Sequence, residues 1–529
     1  MASFRVIKTN EKKVTVVDSS TDWRTYDGSS NNLIYPWWGV ANYALKRVSF
    51  PDYGDGVSSL AVRGPNDPSP RVVSNAICQA QADPPRNDFK LTDMTWVWGQ
   101  FVDHEIGLTN TNDSEPANMF CSPSDPNEQY PGRTIPFNRS VSVFDSSPRQ
   151  QPSDISAFID GTNIYGFDSE RAYALRKMDG SGKLKTTTAD NGETLLPYNT
   201  QELTNAQPPG TNPQDFFVSG DVRVNENIDL TSMHTLFMKE HNRLCDIISQ
   251  QNSFMRDQDE MIFNYARRII IGLMQNITFT EYLPRLIGEL PAYDGYKSGA
   301  EPTIATEFST ALYRLGHAML SSRLRINDDP SDFLLLRDAF FQPSYIQANG
   351  TENIIFGASQ PLMKKINNQI IDDIRNFLFG PPTSTMLHDL ASLNMQRGRD
   401  HGLPGYNTVR EAYGLPRVDL FSEVVSDSTI ASRLADLYVT PDNADPWLMA
   451  ISEDHVPGLP VGPLVRAGLR RQFLGIRDGD RFWFEVDPGL STQWKDYIKA
   501  TTLGDVIKNN ITVNLALKPK VRKDVFTVA

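Results

Sequence analysis

The stretch from residue 91 to residue 108, LTDMTWVWGQFVDHEIGL, constrains the fold more than any other part of the chain. Its apolar residues recur at helical spacing, which predicts an amphipathic or fully buried helix. Gln100 and His104 are four residues apart, so both side chains share one face and can point into one cavity. Asp103 lies about 100° around the helix from His104 and would meet the rim of that cavity. A core histidine hydrogen-bonded to a carboxylate is the plainer alternative.

Helical periodicity also dominates the rest of the chain, and strand signals are few and short. A long apolar stripe begins near Asp229, which could cap the helix that follows. The helices predicted in this way are 91–107, Ser169–Met178, one that starts at 229, 257–274, 277–287, 303–320, 361–378 and 385–393. The fold class is therefore predicted to be mainly α.

The length of 529 residues usually corresponds to two or three domains, but no Gly/Ser-rich or Pro-rich linker divides this chain. One large domain built around a cofactor is the alternative. The net charge of −13 argues against a nucleic-acid surface. No apolar run approaches the ~20 residues of a membrane-spanning helix.

The first residues, MASFRVIKTNEKK, lack the apolar core of a secretion signal. We therefore expect a cytoplasmic protein or one that is exported without such a leader. The three cysteines, Cys78, Cys121 and Cys245, can form at most one disulfide bond, and no CxxC pair indicates zinc.

The seven histidines are the main candidates for metal ligands and for acid–base chemistry. A zinc-protease helix needs His-Glu-x-x-His, and the pattern that starts at His104 has a leucine at its last position. His317 lies in an apolar segment where Gly316 would let a flat cofactor approach the backbone. A lone histidine is more often structural, so this assignment depends on other residues. Asn394 could hold the second imidazole nitrogen, as a ligating histidine requires.

Seven blocks of sequence follow one another between about Tyr26 and Asn510. They are YDGSSNNLIYPWWG, WGQFVDHEIGLT, SAFIDGTNIYGFD, SGDVRVNENIDLTSMHTLFMKEHNRL, YRLGHAMLSSRL, LNMQRGRDHGLPGYN and RDGDRFWFE. Together they resemble the animal-type haem peroxidases of the peroxidase–cyclooxygenase superfamily, in the order of that family. The resemblance implies one large domain with helices around a central haem. We place this domain at residues 21–515, between an N-terminal extension (1–20) and a C-terminal tail (516–529).

Three residues match the distal side of the haem in this family. His104 matches the histidine that takes a proton from hydrogen peroxide and returns it to the departing oxygen. Arg223 matches the arginine whose fixed charge stabilises the separating O–O bond. Gln100 matches the residue that orients water and halide. The resemblance thus implies that these three residues are catalytic.

On the proximal side, His317 matches the ligand of the haem iron, and Asn394 matches its hydrogen-bond partner. Arg314 and Arg397 match arginines near the haem, and Arg397 could meet a propionate. The implied cofactor is haem b.

Asp103 and Glu226 match the two carboxylates that esterify the haem methyl groups, so an ester link through one or both is expected. The next residue is Asn227, where one member of the family has a methionine that bonds a haem vinyl group. No sulfonium link is therefore expected. Iodide, bromide, thiocyanate and small organic donors are the expected substrates, rather than chloride.

The loop SAFIDGTN resembles the calcium loop of the family. Oxygens from Ser156, Phe158 (backbone carbonyl), Asp160 and Thr162 alternate as a hard cation requires. The last ligand in the family is an aspartate after the distal histidine, and here that position is Glu105. A longer carboxylate can still reach, so bound calcium is expected. An Asp-Gly turn without an ion is the alternative.

The resemblance implies an enzyme in which hydrogen peroxide oxidises the haem to an oxoferryl state, which then oxidises a small donor. A fatty-acid dioxygenase on the same scaffold would carry a tyrosine three residues before the proximal histidine, but that position is Arg314, and Tyr313 is predicted on another face of the helix. A non-catalytic adhesion domain would be expected to lack distal or proximal residues, and this chain retains them.

Overall fold

The computed structural model describes residues 22–82, 84–251, 257–378 and 388–528. The N-terminal extension predicted at 1–20 lies outside these residues. Within them the chain is mainly helical, with few and short strands, which confirms the predicted fold class. None of the helices in this part of the chain combines the length and the apolar character that a membrane span needs.

The described α-helices are numbered in chain order, and most of them are short. They are α1 Pro70–Ile77, α2 Met94–Ile106, α3 Thr162–Tyr165, α4 Ser169–Leu175, α5 Ile228–Gln251, α6 Asp259–Ile277, α7 Leu283–Ile287, α8 Pro343–Asn349, α9 Glu352–Ala358, α10 Asp372–Arg375, α11 Leu390–Asp400, α12 Tyr406–Ala412, α13 Ser428–Tyr438, α14 Pro446–Ser452, α15 Pro463–Asp478, α16 Thr492–Ala500 and α17 Leu503–Asn510.

The strands form isolated antiparallel pairs rather than a sheet that organises the domain. They are β1 Tyr43–Ala44, β2 Thr111–Pro116, β3 Met119–Phe120, β4 Thr134–Ile135, β5 Asn138–Ser140, β6 Pro152–Ser153, β7 Thr187–Thr188, β8 Thr194–Leu195, β9 Arg323–Arg325 and β10 Phe333–Leu335. The pairs are β1 with β6, β2 with β5, β3 with β4, β7 with β8 and β9 with β10.

The helix predicted around His104 is α2, and it lies in the centre of the core. Its apolar residues are almost fully buried, as the spacing of the sequence predicts. Trp98 and Phe101 pack against Phe237 of α5, with ring centroids 5.7 and 5.3 Å apart. Because α2 is packed on several sides, its side chains have little freedom to move, including those that face a cavity.

Several predicted helices differ from the structure, among them those at 361–378 and 385–393. Residues 361–378 were predicted as one helix, but only Asp372–Arg375 is helical. The segment before it instead bridges to residues 79–92 through backbone pairs such as Thr92 with Leu362 and Gln79 with Ile370. The helix predicted at 385–393 begins at Leu390, where the Asp389 side chain caps the Ser392 N–H, and residues 385–387 lie outside the described ranges.

The segment 303–320 is helical only in part, and not as a regular α-helix. Phe308–Leu312 forms a π-helical turn, and Tyr313–Ala318 continues as a 3₁₀ helix. Such departures from α-helical winding occur frequently at functional sites, and this one carries His317.

Residues near the C-terminus pack into the core. Phe526 is fully buried, and its ring centroid lies 6.4 Å from Trp98 and 6.3 Å from Tyr282. The backbone of the same segment pairs with the residues that precede α2, since Thr92 donates its N–H to the Phe526 carbonyl. Thus part of the predicted tail, residues 516–529, supports the helix that carries His104.

All three cysteines are buried and none is in a disulfide bond. The sequence left room for one bridge, and the structure contains no such bridge. The fold is therefore stabilised by packing and by buried hydrogen bonds rather than by covalent links between distant segments.

Candidate active site

A cavity of about 260 Å³ opens between α2, the loop before α5 and the segment 313–320. Seven residues that the sequence pointed to line this one cavity: Gln100, Asp103, His104, Arg223, Glu226, Arg314 and His317. They come from three separate parts of the chain, so the fold brings together the residues that the sequence blocks predict as a site.

His104 lies in the last turn of α2 and is 5% exposed. Its Nδ1 is 3.5 Å from Oδ1 of Asp221, and its Nε2 is 3.7 Å from Oε2 of Glu226. Burial, and then the positive charge of Arg223, hold the pKa of His104 well below its usual value. The imidazole is therefore neutral at ordinary pH and can accept a proton.

Arg223 is held in place by Asp221, two residues earlier. Its Nε and Nη2 donate to the Asp221 carboxylate at 3.0 and 2.7 Å, and Nη2 also donates to the carbonyls of His104 and Gly107 at 3.2 and 3.1 Å. Burial alone would raise the pKa of Asp221, but the charge of Arg223 outweighs it and brings the pKa well below its usual range. A buried, charged pair thus lies directly beside His104.

Asp221 is the functional residue that the sequence reasoning missed. Its signal is the Asp-x-Arg spacing in the loop before α5, which places a carboxylate within reach of the guanidinium. The spacing is too common to indicate a site by itself, and only the fold reveals that the same carboxylate faces His104.

Gln100 is hydrogen-bonded to two neighbouring residues of the cavity wall, Glu226 and Asn227. Its Nε2 donates to Glu226 at 2.9 Å, and its Oε1 accepts from Asn227 at 3.0 Å. Removal from bulk water raises the pKa of Glu226 to about 7, although Arg223 opposes the shift. The same effect raises the pKa of Asp103 to about 6, against the charges of Arg223 and Arg314. Both carboxyl groups are thus only weakly acidic.

The opposite wall carries His317. The amide nitrogen of Asn394 lies 2.7 Å from His317 Nδ1, and the amide oxygen accepts from Nη1 of Arg314 at 3.0 Å. Loss of hydration, followed by the charge of Arg314, lowers the pKa of His317 to about 3. A Cβ added at Gly316, which also lines the cavity, would meet no heavy atom within 4 Å. The backbone beside His317 therefore borders open space.

Tyr313 lines the cavity as well, so the prediction that placed it on another face of the helix is wrong. Residues four apart, such as Tyr313 and His317, share one face of an α-helix. The Tyr313 hydroxyl lies 3.4 Å from that of Tyr282, which also faces the cavity.

Arg397, predicted near the haem, does not belong to the described residues that line the cavity. Its Nη1 donates to Ser140 at 2.8 Å and to Asp400 at 2.9 Å, and its guanidinium lies 4.2 Å from the centre of the Phe137 ring. The structure thus places this charge in an ion pair beside the site.

The predicted calcium loop brings three oxygen-bearing side chains together. Ser156 and Thr162 donate their hydroxyls to the two oxygens of Asp160 at 2.5 and 2.6 Å. No group of three or more His, Cys, Asp or Glu side chains suited to a metal occurs in the described part of the chain. A cation in this loop would therefore depend on hydroxyl and carbonyl oxygens as well as on Asp160.

Glu105 faces the backbone of the same loop. Its carboxylate accepts the N–H groups of Asp160, Gly161, Thr162 and Asn163 at 2.8, 2.5, 3.2 and 2.9 Å. Burial, together with the nearby charge of Asp160, raises the pKa of Glu105 above its usual value. The carboxylate thus holds the backbone of the loop through hydrogen bonds. These bonds direct it toward the N–H groups rather than toward the side-chain oxygens of Ser156 and Thr162.

The family model of animal haem peroxidases matches residues 23–526. The chain therefore belongs to the animal haem peroxidase family. This agrees with the geometry, in which two histidines from separate elements line one cavity.

Individual relatives extend this result. Thyroid peroxidase of Sus scrofa is 31% identical over 89% of this chain and 57% of its own length. Lactoperoxidase of Mesocricetus auratus is 33% identical over 94% of this chain and 76% of its own length. Among solved structures, peroxidase A from Dictyostelium discoideum matches with a TM-score of 0.87 at 29% identity, over 96% of this chain and 100% of that chain. The chain thus spans little more than half of thyroid peroxidase.

The position of Asp221 predicts how pH affects the reaction of the haem-loaded protein with hydrogen peroxide. Asp221→Asn should lower the plateau rate roughly tenfold to a hundredfold, because the carboxylate holds Arg223 and His104 without transferring the proton itself. The negative charge of Asp221 raises the pKa of His104. Its removal should therefore lower the pH below which the rate begins to fall. Stopped-flow rates between pH 4 and 8 measure both effects, with Asp215→Asn, on the surface, as control. An acid limb that moves to higher pH would contradict this assignment.

Proposed function

We propose that this chain is a haem peroxidase that uses hydrogen peroxide to oxidise iodide, bromide, thiocyanate and small organic donors. One observation carries the proposal: His104, Arg223 and His317 line a single cavity. A neutral imidazole and a fixed positive charge lie on one side of it, and a second imidazole lies on the other.

The residues of the cavity fit a haem. His317 would bind the iron through Nε2 and donate its Nδ1–H to the Asn394 side chain, which requires the amide of Asn394 to present its oxygen to Nδ1 in place of the nitrogen that now lies 2.7 Å away. The open space beside Gly316 suits a flat ring close to the backbone. Bound haem supplies the two-electron redox chemistry that peroxide reduction requires. Asp103 and Glu226 border the same space and would carry ester links to it.

His104 performs the proton transfer. The imidazole accepts the proton from the bound oxygen of hydrogen peroxide and delivers it to the oxygen that leaves as water. Its lowered pKa favours the neutral form that starts this cycle. Arg223, which Asp221 holds in place, stabilises the negative charge that develops on the departing oxygen.

Gln100 and the charges of Arg223 and Arg314 would receive the donor. Two guanidinium groups favour small anions in the cavity, and the amide of Gln100 is fixed between Glu226 and Asn227. Asn227 provides no thioether for a sulfonium link to the haem. This supports iodide, bromide and thiocyanate rather than chloride as the halide donors.

The proposal also includes a calcium ion bound by the loop around Asp160. Ser156, Asp160 and Thr162 already converge, and the Phe158 carbonyl follows the alternation that a hard cation needs. In this assignment Glu105 shapes the loop through its backbone contacts, and a direct Glu105–calcium bond is not required.

The acid–base role predicts the behaviour of histidine variants. His104→Ala should retain the Soret band but lose about 10²- to 10⁴-fold in peroxide-dependent iodide oxidation. His317→Ala should lose the Soret band of ligated haem. His455→Ala, which replaces a half-buried histidine outside the cavity, should retain both properties. Unchanged turnover of His104→Ala would overturn the proposed mechanism.

The ester links predict that haem resists extraction. After treatment with hydrogen peroxide, acidified acetone should leave haem with the wild-type protein, because a covalent link survives acid denaturation. Asp103→Asn and Glu226→Gln should each remove one link, and the double variant should release all haem into the organic layer. Free haem from the treated wild-type protein would exclude the covalent attachment.

The calcium proposal predicts a change in thermal stability. Chelation should lower the unfolding temperature, because a ligand at a hundred times its Kd stabilises the folded state by about 2.7 kcal/mol. Asp160→Asn should remove the effect of chelator on the unfolding temperature. Glu105→Gln should retain this effect but unfold at a lower temperature than the wild-type protein even without chelator. The measurements are thermal unfolding with chelator or added calcium and metal analysis of the purified protein. The calcium proposal would be refuted if the wild-type protein contained no calcium and if neither chelator nor added calcium changed its unfolding temperature.

A further inference from the structure

A second cavity, of about 440 Å³, lies between the end of α6, the loop 288–293 and residues 477–499. Phe279, Tyr293 and Trp483 line it together with Glu485 and Lys499. Its walls therefore combine aromatic faces with charged groups of both signs, a composition suited to an aromatic ligand with a polar substituent.

Tyr293 gives this cavity an unsatisfied polar group. Its hydroxyl is buried and has no hydrogen-bond partner among the described residues. A buried hydroxyl without a partner costs free energy, so the site favours a ligand that supplies one. Nearby, Trp483 donates its indole N–H to Oε1 of Glu485 at 3.3 Å, and the second oxygen of Glu485 pairs with Lys499 at 2.6 Å.

A continuous series of ring contacts joins this cavity to the first one. The Tyr293 and Trp483 centroids are 5.7 Å apart, and Trp483 lies 4.9 Å from Phe279. Phe279 contacts Phe473 at 6.0 Å, and Phe473 contacts Tyr313 at 5.5 Å. The last four rings are at most 8% exposed, so water does not interrupt the series.

The ends of the series differ from its middle in chemistry. Tryptophan and tyrosine are the side chains that lose one electron most readily, whereas phenylalanine is not oxidised under mild conditions. Trp483 borders the second cavity, and Tyr313 borders the cavity of His104 and His317. The two phenylalanines therefore act as closely packed bridges between two groups that can be oxidised.

We propose that the second cavity binds phenols or aromatic amines too large for the haem cavity and oxidises them one electron at a time through this series of rings. The proposal rests on the peroxidase function proposed above, which supplies the oxidant. The donor electron passes to Trp483 and then, across Phe279 and Phe473, to Tyr313 at the haem cavity.

The reaction balances with two donors for each peroxide. Two phenol molecules lose two electrons and two protons and become two phenoxyl radicals, while hydrogen peroxide gains them and becomes two molecules of water. The donor O–H bond breaks, and its proton passes to the Glu485 carboxylate and then to solvent. The protons that complete the water molecules enter from solvent at His104.

The test compares a bulky phenol with iodide on the haem-loaded protein. Trp483→Phe should lower the oxidation of 4-hydroxybiphenyl by about tenfold and leave iodide oxidation within about twofold. The matched control is Trp494→Phe, since Trp494 is also buried but packs against Tyr265 and Tyr497, outside the series. If Trp483→Phe does not fold, Phe279→Leu interrupts the same series. Iodide activity and the Soret band report folding.

Two measurements do not depend on turnover. Peroxide added without donor, in the presence of a nitroso spin trap, should give adducts at Trp483 or Tyr293 in the wild-type protein, and these should disappear in Phe473→Leu. Calorimetry with 4-hydroxybiphenyl should show weaker binding to Tyr293→Phe than to the wild-type protein.

The outcomes separate this inference from the peroxidase proposal. Parallel loss of phenol and iodide oxidation in Trp483→Phe, or unchanged phenol oxidation, would overturn the second site while leaving the peroxidase proposal intact. Adducts confined to other residues would do the same. A wild-type protein that oxidises neither iodide nor phenol would instead overturn the peroxidase proposal itself.

Discussion

The arrangement of the cavity depends on the buried ion pair between Asp221 and Arg223. Burial penalises each charge separately, and only their close contact, with the added hydrogen bonds to backbone carbonyls, makes a charged arginine stable there. Since one of these carbonyls belongs to His104 and the Asp221 carboxylate faces the imidazole, the pair also fixes the relation between arginine and histidine. A neutral base and a permanent positive charge are thereby held side by side at the wall of the cavity.

Much of the fold follows from local pattern in the sequence. Helices α2, α5 and α6 are predicted because their apolar spacing continues for several turns and agrees with their packing. The prediction fails at 361–378, where apolar residues serve backbone pairing with residues 79–92, a long-range contact that no local pattern reveals. It also fails in the winding of 308–318, because periodicity over a few residues does not distinguish α-helical from π or 3₁₀ turns.

Some residues of the site could be predicted from the sequence and others could not. His104, Arg223 and His317 are found by resemblance, and the structure places them around one cavity. Asp221 is missed because a short Asp-x-Arg spacing has no specific signal. Arg397, which stays a prediction as a residue near the haem, is paired with Asp400 outside the residues that line the cavity, since a sequence block does not fix the direction of a long side chain.

The buried thiols have a consequence for the peroxidase function proposed above. The thiolate, rather than the thiol, is the nucleophile that attacks a peroxide oxygen. Burial raises the pKa of Cys121 to about 11, and it moves those of Cys78 and Cys245 higher still above the usual value. All three sulfur atoms therefore remain protonated and buried away from an oxidant. The hydrophobic core thus protects all three cysteines against sulfenic acid formation. This protection does not depend on disulfide bonds, since the cysteines form none.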